Sequence, residues 1–567
     1  DSPLEGALYN TALGNYTLTA LTTADESTAI GYNAGGSITT GVRNVTVGAY
    51  SGDSLTTGAR NVAIGTHTLG TATTANLNVA IGQGAMEGAA AGVAFEGAIA
   101  IGKDALTAIN STDADGTVAI GYEAGKAITS AQQSTVVGYQ AGTLISTGGY
   151  NTLFGYQAGD ALTIGDWNVA IGRNALGAED VGRGTVAIGM NCLVQQNSDS
   201  NNENTNNVAV GLNAGYGVIT GQGHTLIGAY AGELVRNQSY VTAIGVEALR
   251  YNGLGSHATA LGNAAGQYAT GSYNTFVGSQ AGKGGTTSAP FSSGPNNTAV
   301  GHEALTAFTT AEDNTALGMY AGRALTSGNS NTLLGNGAGD TMTATSNTVL
   351  IGVNAGTAIN NTGASGTVAI GFKAGERHTS GGGCVYVGNA AGDHCTDGHR
   401  NVAIGEASLS GNADDDNVAV GYGALGVCSS ADNVAIGTNA GNTIATGAEN
   451  TLVGYNVDVA SGDNTNNVII GNNLTATDKD NAVFIGNNTN HIENDFNADA
   501  TWNYSSDIRQ KTNIEDDTLG LDFINKIRPV VYKHKSPSEF PEEWSAYDAD
   551  DKEPMGGDKV IHGLIAQ

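Results

Sequence analysis

The sequence predicts an all-β chain: a parallel β-solenoid, or β-roll, of about 28 repeats of 17 residues, followed by a small α+β domain. The first observation is a period. The motif Asn-x-Ala-Ile-Gly and its variants recur from Gly14 to Gly486, marking 28 glycines. Of the 27 intervals between them, 18 are 17 residues and the others run from 15 to 23, a series that only a repeat architecture produces. The second is the alternation inside each unit. In Asn168-Val169-Ala170-Ile171-Gly172, Val and Ile fall on one side of an extended chain and Ala on the other. The third is composition. Glycine contributes 85 of 567 residues, charged residues 13% and aromatic residues 6%, which suits thin stacked layers with small residues inside.

Each element of the unit has a physical reason. The marker glycine permits a sharp turn or a close backbone approach. A small pair such as Ala124-Gly125 or Ala141-Gly142 usually follows, and a second short strand of the type Ala-Leu-Thr-Thr-Gly is expected to close the unit. Seventeen residues cannot hold a helical repeat with its connection. One unit cannot bury its own apolar stripe, but stacked units can, pairing each backbone with the coils above and below. Asn stands four residues before the marker in 16 of 28 copies, Asn44, Asn61, Asn168, Asn314 and Asn467 among them, which predicts a hydrogen-bonded Asn ladder. At about 4.8 Å per layer the stack would be a rod of roughly 130 Å. These glycines are not phosphate loops, because no Lys-Ser/Thr and no helix follows them.

Composition also excludes classes of function. With 22 Lys and Arg against 52 Asp and Glu, the net charge of −30 opposes binding to nucleic acid or to anionic lipid. No apolar run reaches the ~20 residues of a membrane helix. The chain begins at Asp1 without a visible signal peptide and reads as a fragment or processed product. Cys192, Cys384, Cys395 and Cys428 have no zinc or disulfide-framework spacing and read as buried free thiols. Asp414-Asp415-Asp416 is the cluster nearest to a calcium site, but no EF-hand spacing accompanies it, so neither metal nor cofactor is expected.

Recognition is expected where the repeat is irregular. The longest intervals place surface loops at 191–206, rich in Asn and Ser, and at 283–296, with Pro290, Phe291 and Pro295. Tyr32, Tyr122, Tyr139, Tyr156, Tyr422 and Tyr455 each follow a marker glycine, as a packing ladder or as a row for stacking sugars.

The repeat units Asn-Val-Ala-Ile-Gly and Asn-Thr-Leu-Val-Gly, over roughly residues 10–486, resemble the heads of trimeric autotransporter adhesins and repeats of phage tail fibres. Residues 487–505 read as a polar connector. From 506 the text changes: Ser506-Asp-Ile-Arg-Gln-Lys511, then Ile524-Asn-Lys-Ile-Arg-Pro-Val-Val-Tyr532, then Gly563-Leu-Ile-Ala-Gln567. Leu521, Ile524 and Ile527 have helical spacing, and Val530–Tyr532 reads as a strand. This order resembles the intramolecular chaperone autopeptidase at the ends of phage endosialidase tailspikes, other phage fibres and myelin regulatory factor. Residues 506–567 correspond to its N-terminal part, truncated at Gln567.

The resemblance implies a homotrimeric fibre whose terminal domain guides folding and then cuts itself off. It implies Ser506 as nucleophile, Lys511 as general base and cleavage at Ser506–Asp507, with Arg509 supporting. A serine needs such a base, and lysine serves when burial or nearby cations lower its pKa. Attack by Ser506 on its own carbonyl closes a four-membered ring, and attack on the preceding carbonyl a five-membered one; sequence leaves both open. The implied function is a virion tail fibre, extracellular, contacting other tail proteins and a host cell-surface receptor, with a glycan as one candidate. Alternatives are a cellular trimeric adhesin, a structural filament and a polysaccharide-degrading fibre; the last would need paired carboxylates outside the repeat. Apart from autoproteolysis no enzyme activity is expected.

Overall fold

The computed structural model describes residues 6–497 except 202, 254 and 286–290, and in the C-terminal part 529–532, 535–539, 541, 550, 552 and 561–564. The chain divides into a unit of residues 1–498 and a unit of residues 499–567.

The first unit is the expected solenoid. Twenty-eight strands, from β1 (Thr11–Leu13) to β28 (Ala482–Gly486), form a single parallel sheet. Every coil contributes one strand just before its marker glycine, and register is kept residue for residue: Val169 pairs with Val186, Ala170 with Ala187 and Ile171 with Ile188. Intervals longer than 17 do not disturb this; Val186 pairs with Val208 across a gap of 22. Spare residues leave the coil as short 3-10 turns at Thr112–Ala114 and Thr362–Ala364, or as loops.

The residue two places before each marker glycine points inward. Ala170, Ala187 and Ala209 are fully buried, as are the larger Phe276 and Tyr386 at the same place in their coils. The flanking Val, Thr, Ile and Leu residues point outward. The marker glycine cannot be replaced without movement. Gly155 has φ +146, and a Cβ there would lie 2.5 Å from the carbonyl oxygen of Gly172 in the next coil.

The Asn ladder forms as its spacing predicts. Asn314 Oδ1 accepts the backbone N–H of Asn331 at 3.0 Å and its Nδ2 at 2.9 Å, while Asn314 Nδ2 donates to the carbonyl of Gly328 at 3.0 Å. The side chain therefore satisfies backbone groups that the coil's corner leaves without a ladder partner.

Among the described residues the expected second strand of the coil is absent. In Ala161–Gly165 the backbone instead turns, Leu162 N–H donating to Gly159 O, and the onward bonds converge on one carbonyl: Thr163, through its N–H and its hydroxyl, and the Ile164 N–H all donate to Asp180 O. Left-handed residues bracket this segment, at Gly159 (φ +57) and Trp167 (φ +58), and break the extended run that a ladder needs. Beyond Gly486, where an irregular connector is expected, β29 (His491–Asp495) pairs antiparallel with β28 and caps that edge.

In the second unit, β30 (Pro529–Tyr532) pairs antiparallel with β31 (Ile561–Leu564), joining the expected Val530–Tyr532 strand to the Gly563 motif. The expected helix around Leu521–Ile527 lies outside the described residues.

Candidate functional site

The two long insertions differ in how they are held. The 191–206 insertion folds against a buried carboxylate. Glu179 is fully buried and accepts from Gly182 N–H at 2.6 Å, Gln196 Nε2 at 2.9 Å and Ser198 Oγ at 3.0 Å. Gln196 in turn accepts from Asn207 Nδ2 at 2.9 Å, which ties the insertion into the Asn ladder. A buried carboxylate is tolerated only with such complete hydrogen bonding. Its longest exposed stretch among the described residues is Asp199–Asn201.

The described residues of the 283–296 insertion add a ring to an aromatic stack of the coils. Ser292 makes an isolated bridge to Ala269, which lays the Phe291 ring against two tyrosines. Phe291 is 5.3 Å from Tyr251 and 6.1 Å from Tyr268, and the two tyrosines are 5.2 Å apart, all within 24° of parallel. Arg250 lies over the rings of Tyr230 at 4.6 Å and Tyr251 at 5.1 Å. It is held there by Glu233 at 2.5 Å and Glu247 at 2.7 Å. Rings, guanidinium and carboxylates on one surface make an amphipathic patch of the kind that recognition surfaces use. Sequence reasoning named Phe291 but missed its partners. Their signal was present: Tyr251 and Tyr268 each lie six residues after a marker glycine in successive coils.

Three of the tyrosines after the marker glycine pack on each other, and Tyr32 packs against Tyr16 and Tyr50. Tyr122, Tyr139 and Tyr156 stack with centroids 5.0 and 5.2 Å apart and planes within 10°. A ring between two others has both faces covered, which leaves its edge, not its face, for any sugar.

The Asp414–Asp416 run is engaged by a cation of the chain. Arg400 contacts Asp415 at 3.2 Å and Asp416 at 2.6 Å, and this holds the Asp416 carboxyl below its ordinary range. The four cysteines are buried free thiols, and burial pushes Cys192 and Cys395 up to about 12. Two histidines are buried as well. His224 occupies the Asn position of its coil, its Nδ1 accepting from Val241 N–H at 3.2 Å, and burial lowers its pKa to about 4. His378 faces the carbonyls of Cys395 and Gly381 and the Tyr386 hydroxyl, and burial lowers its pKa too.

Ser506, Arg509 and Lys511, the residues expected to cut the chain, lie outside the described residues. Among the described residues, no helix is long and apolar enough to cross a membrane.

The fold and sequence together define a repetitive β-solenoid fibre with a distinct C-terminal unit. Residues 506–567 match the family described as chaperone of endosialidase. Solenoid and terminal match together fit an endosialidase-type tail fibre with a C-terminal chaperone. No curated protein and no solved structure matches the chain.

Proposed function

We propose that this chain is a homotrimeric virion fibre that attaches a phage to its host surface, assembled by a C-terminal chaperone that then cuts itself away. One juxtaposition carries this reading: 28 near-identical coils are followed, from residue 506, by the chaperone match. Aligning three chains of repeating coils invites slips, since a shift by one coil costs little locally. Parallel non-local pairing is also slow to form. A terminal seed that fixes register once answers both problems, and its removal leaves the fibre kinetically trapped.

Ser506 is the proposed nucleophile and Lys511 its base, with Arg509 helping to hold the lysine neutral. The test is to express the full chain beside Ser506→Ala and Lys511→Ala. The parent should lose a C-terminal fragment whose first residue is Asp507, and neither variant should. Cleavage that persists in Ser506→Ala refutes the dyad, and a fragment beginning at Ser506 moves the cut to the preceding bond.

Host attachment is proposed to use the Arg250, Tyr251, Tyr268 and Phe291 patch. Phe291→Ala should weaken binding of the purified fibre to susceptible cells at least tenfold without changing its fold. Unchanged binding refutes the placement. Deleting 191–206 is a poor probe of recognition, because it strips the buried Glu179 carboxylate of its Gln196 and Ser198 partners.

A further inference from the structure

The outer face of the sheet carries information that the fold itself does not need. The residue immediately before the marker glycine is Ile, Val, Leu or Phe in all 28 coils, and the residue two places earlier is Val, Thr or Ile in all 28. None of these 56 side chains is buried. In the first of these columns Ile64 is 36% exposed, Leu317 48% and Phe154 56%. At the chain's 13% charge content about seven charged residues would fall here by composition, and none does. A solvated sheet face ordinarily alternates apolar inside with polar outside, and exposed strands are commonly blunted with charge. The column before the marker is apolar throughout, and the column two places earlier, with Thr in 12 of 28 coils, carries no charge.

We propose that this face is the interface between copies of this chain, packed parallel and in register along its whole length. The interface rests on the fibre reading above, which brings the C-termini of the copies to one end. Three observations favour a copy of this chain over another partner. The stripe has the period of the coils themselves and runs the full stack, so an occupant must present matching apolar columns at about 4.8 Å spacing. A second copy does so by construction. The area is also of the right size. Counting roughly 100 Å² for a fully exposed Ile-sized side chain, the column before the marker alone offers on the order of 1,000 Å², against roughly 800 Å² per partner in a standard interface. Single-chain proteins seldom expose an apolar patch of more than a few hundred Å². Finally, the rim fits. The column just after the marker holds Tyr122, Tyr139 and Tyr156, and tyrosine is enriched at such interfaces.

Phe154 is the only aromatic residue in the column before the marker. In a parallel, in-register assembly Phe154 of each copy meets its own counterpart. Elsewhere the columns are so uniform that a slip by one coil would keep nearly every contact. The face therefore supplies adhesion along the fibre, while register has to come from Phe154 and the C-terminal unit.

The test uses cross-linking of the full chain. Ile171→Cys and Ile227→Cys are made singly, with Leu144→Cys, 54% exposed and six residues past its marker, as the control off the face. The four native thiols are buried and stay silent. A bis-maleimide shorter than the three-coil separation of 171 and 227, about 14 Å, is applied to assembled protein. Same-residue cross-links in most chains at 171 and at 227, with little at 144, are expected. Mixed assemblies of the two variants should give no 171-to-227 product. Assembled protein that cross-links at 144 but not at 171 or 227 overturns the face and leaves the fibre reading standing. A 171-to-227 product overturns the parallel register. A folded monomer by light scattering overturns the interface and the homotrimeric fibre together.

Discussion

Replacing Asn314 by Ala should open the solenoid locally. Asn314 is fully buried, one rung of a ladder that runs Asn297, Asn314, Asn331. The substitution removes the acceptor of the Asn331 backbone N–H at 3.0 Å and the donor to Gly328 O at 3.0 Å. The Asn331 side chain keeps its bond to Thr345 O, and Asn297 Oδ1 keeps the amide of residue 314, so those groups are not orphaned. Two buried backbone groups are, at about 1–3 kcal/mol each, so the expected loss is about 2–6 kcal/mol. Because coils interact only with their neighbours, the loss should be confined to the adjacent coils. Hydrogen exchange followed by mass spectrometry should show peptides across 297–348 losing protection, while peptides around 169–188 keep it. Asn314→Ser should fall between, because Ser27 and Ser134 in this column still accept the next coil's amide, both at 3.2 Å. A change below about 0.5 kcal/mol in Asn314→Ala, or protection lost evenly along the rod, would refute the ladder as a source of stability.

Three further outcomes are expected. His224 is neutral in the fold with a pKa near 4 against an ordinary 6.5; below pH 6.5 the unfolded chain gains a proton that the folded chain refuses, so stability at this coil should fall by about 3 kcal/mol from pH 6.5 to 4 and then level. His224→Asn restores the rung and should flatten that dependence in denaturant titrations; an unchanged slope refutes the assignment. Gly155→Ala adds a Cβ 2.5 Å from a carbonyl oxygen at φ +146 and should cost about 3 kcal/mol or more, checked by thermal melting; a cost under about 1 kcal/mol would show that the coils can part cheaply. The buried thiols Cys192 and Cys395, pushed up to about 12, should resist a soluble maleimide at pH 8 until the chain unfolds, and labelling of native protein within minutes would contradict their placement.

The solenoid was legible because its physics is local and repeated. A motif of five residues, written 28 times, states strand, inward side and turn together, and the Asn ladder follows from a side chain that recurs at a fixed place. The second strand was misread because Ala-Leu-Thr-Thr-Gly has the pattern of an extended segment, whereas left-handed residues such as Trp167 decide the backbone, and that conformation is not announced by a tryptophan. The support of Glu179 by Gln196 and Ser198 was hidden for another reason. It links residues 17 and 19 apart through an insertion, where the repeat gives no register to reason from. The aromatic patch was half visible, since Phe291 could be singled out but Tyr251 and Tyr268 became its neighbours only through stacking.

The tolerance of the sheet for coils of unequal length has a consequence for how such a fibre changes over generations. Strand register survives intervals from 15 to 23 residues, so what is inserted between strands leaves the pairing of the marker strands unchanged. Reach is then set by the number of strands alone, at about 4.8 Å for each coil gained or lost, while the lateral decoration is set by the insertions alone. Duplication or loss of whole coils can adjust one, and exchange of a single loop can adjust the other, without either change having to wait for the other to compensate.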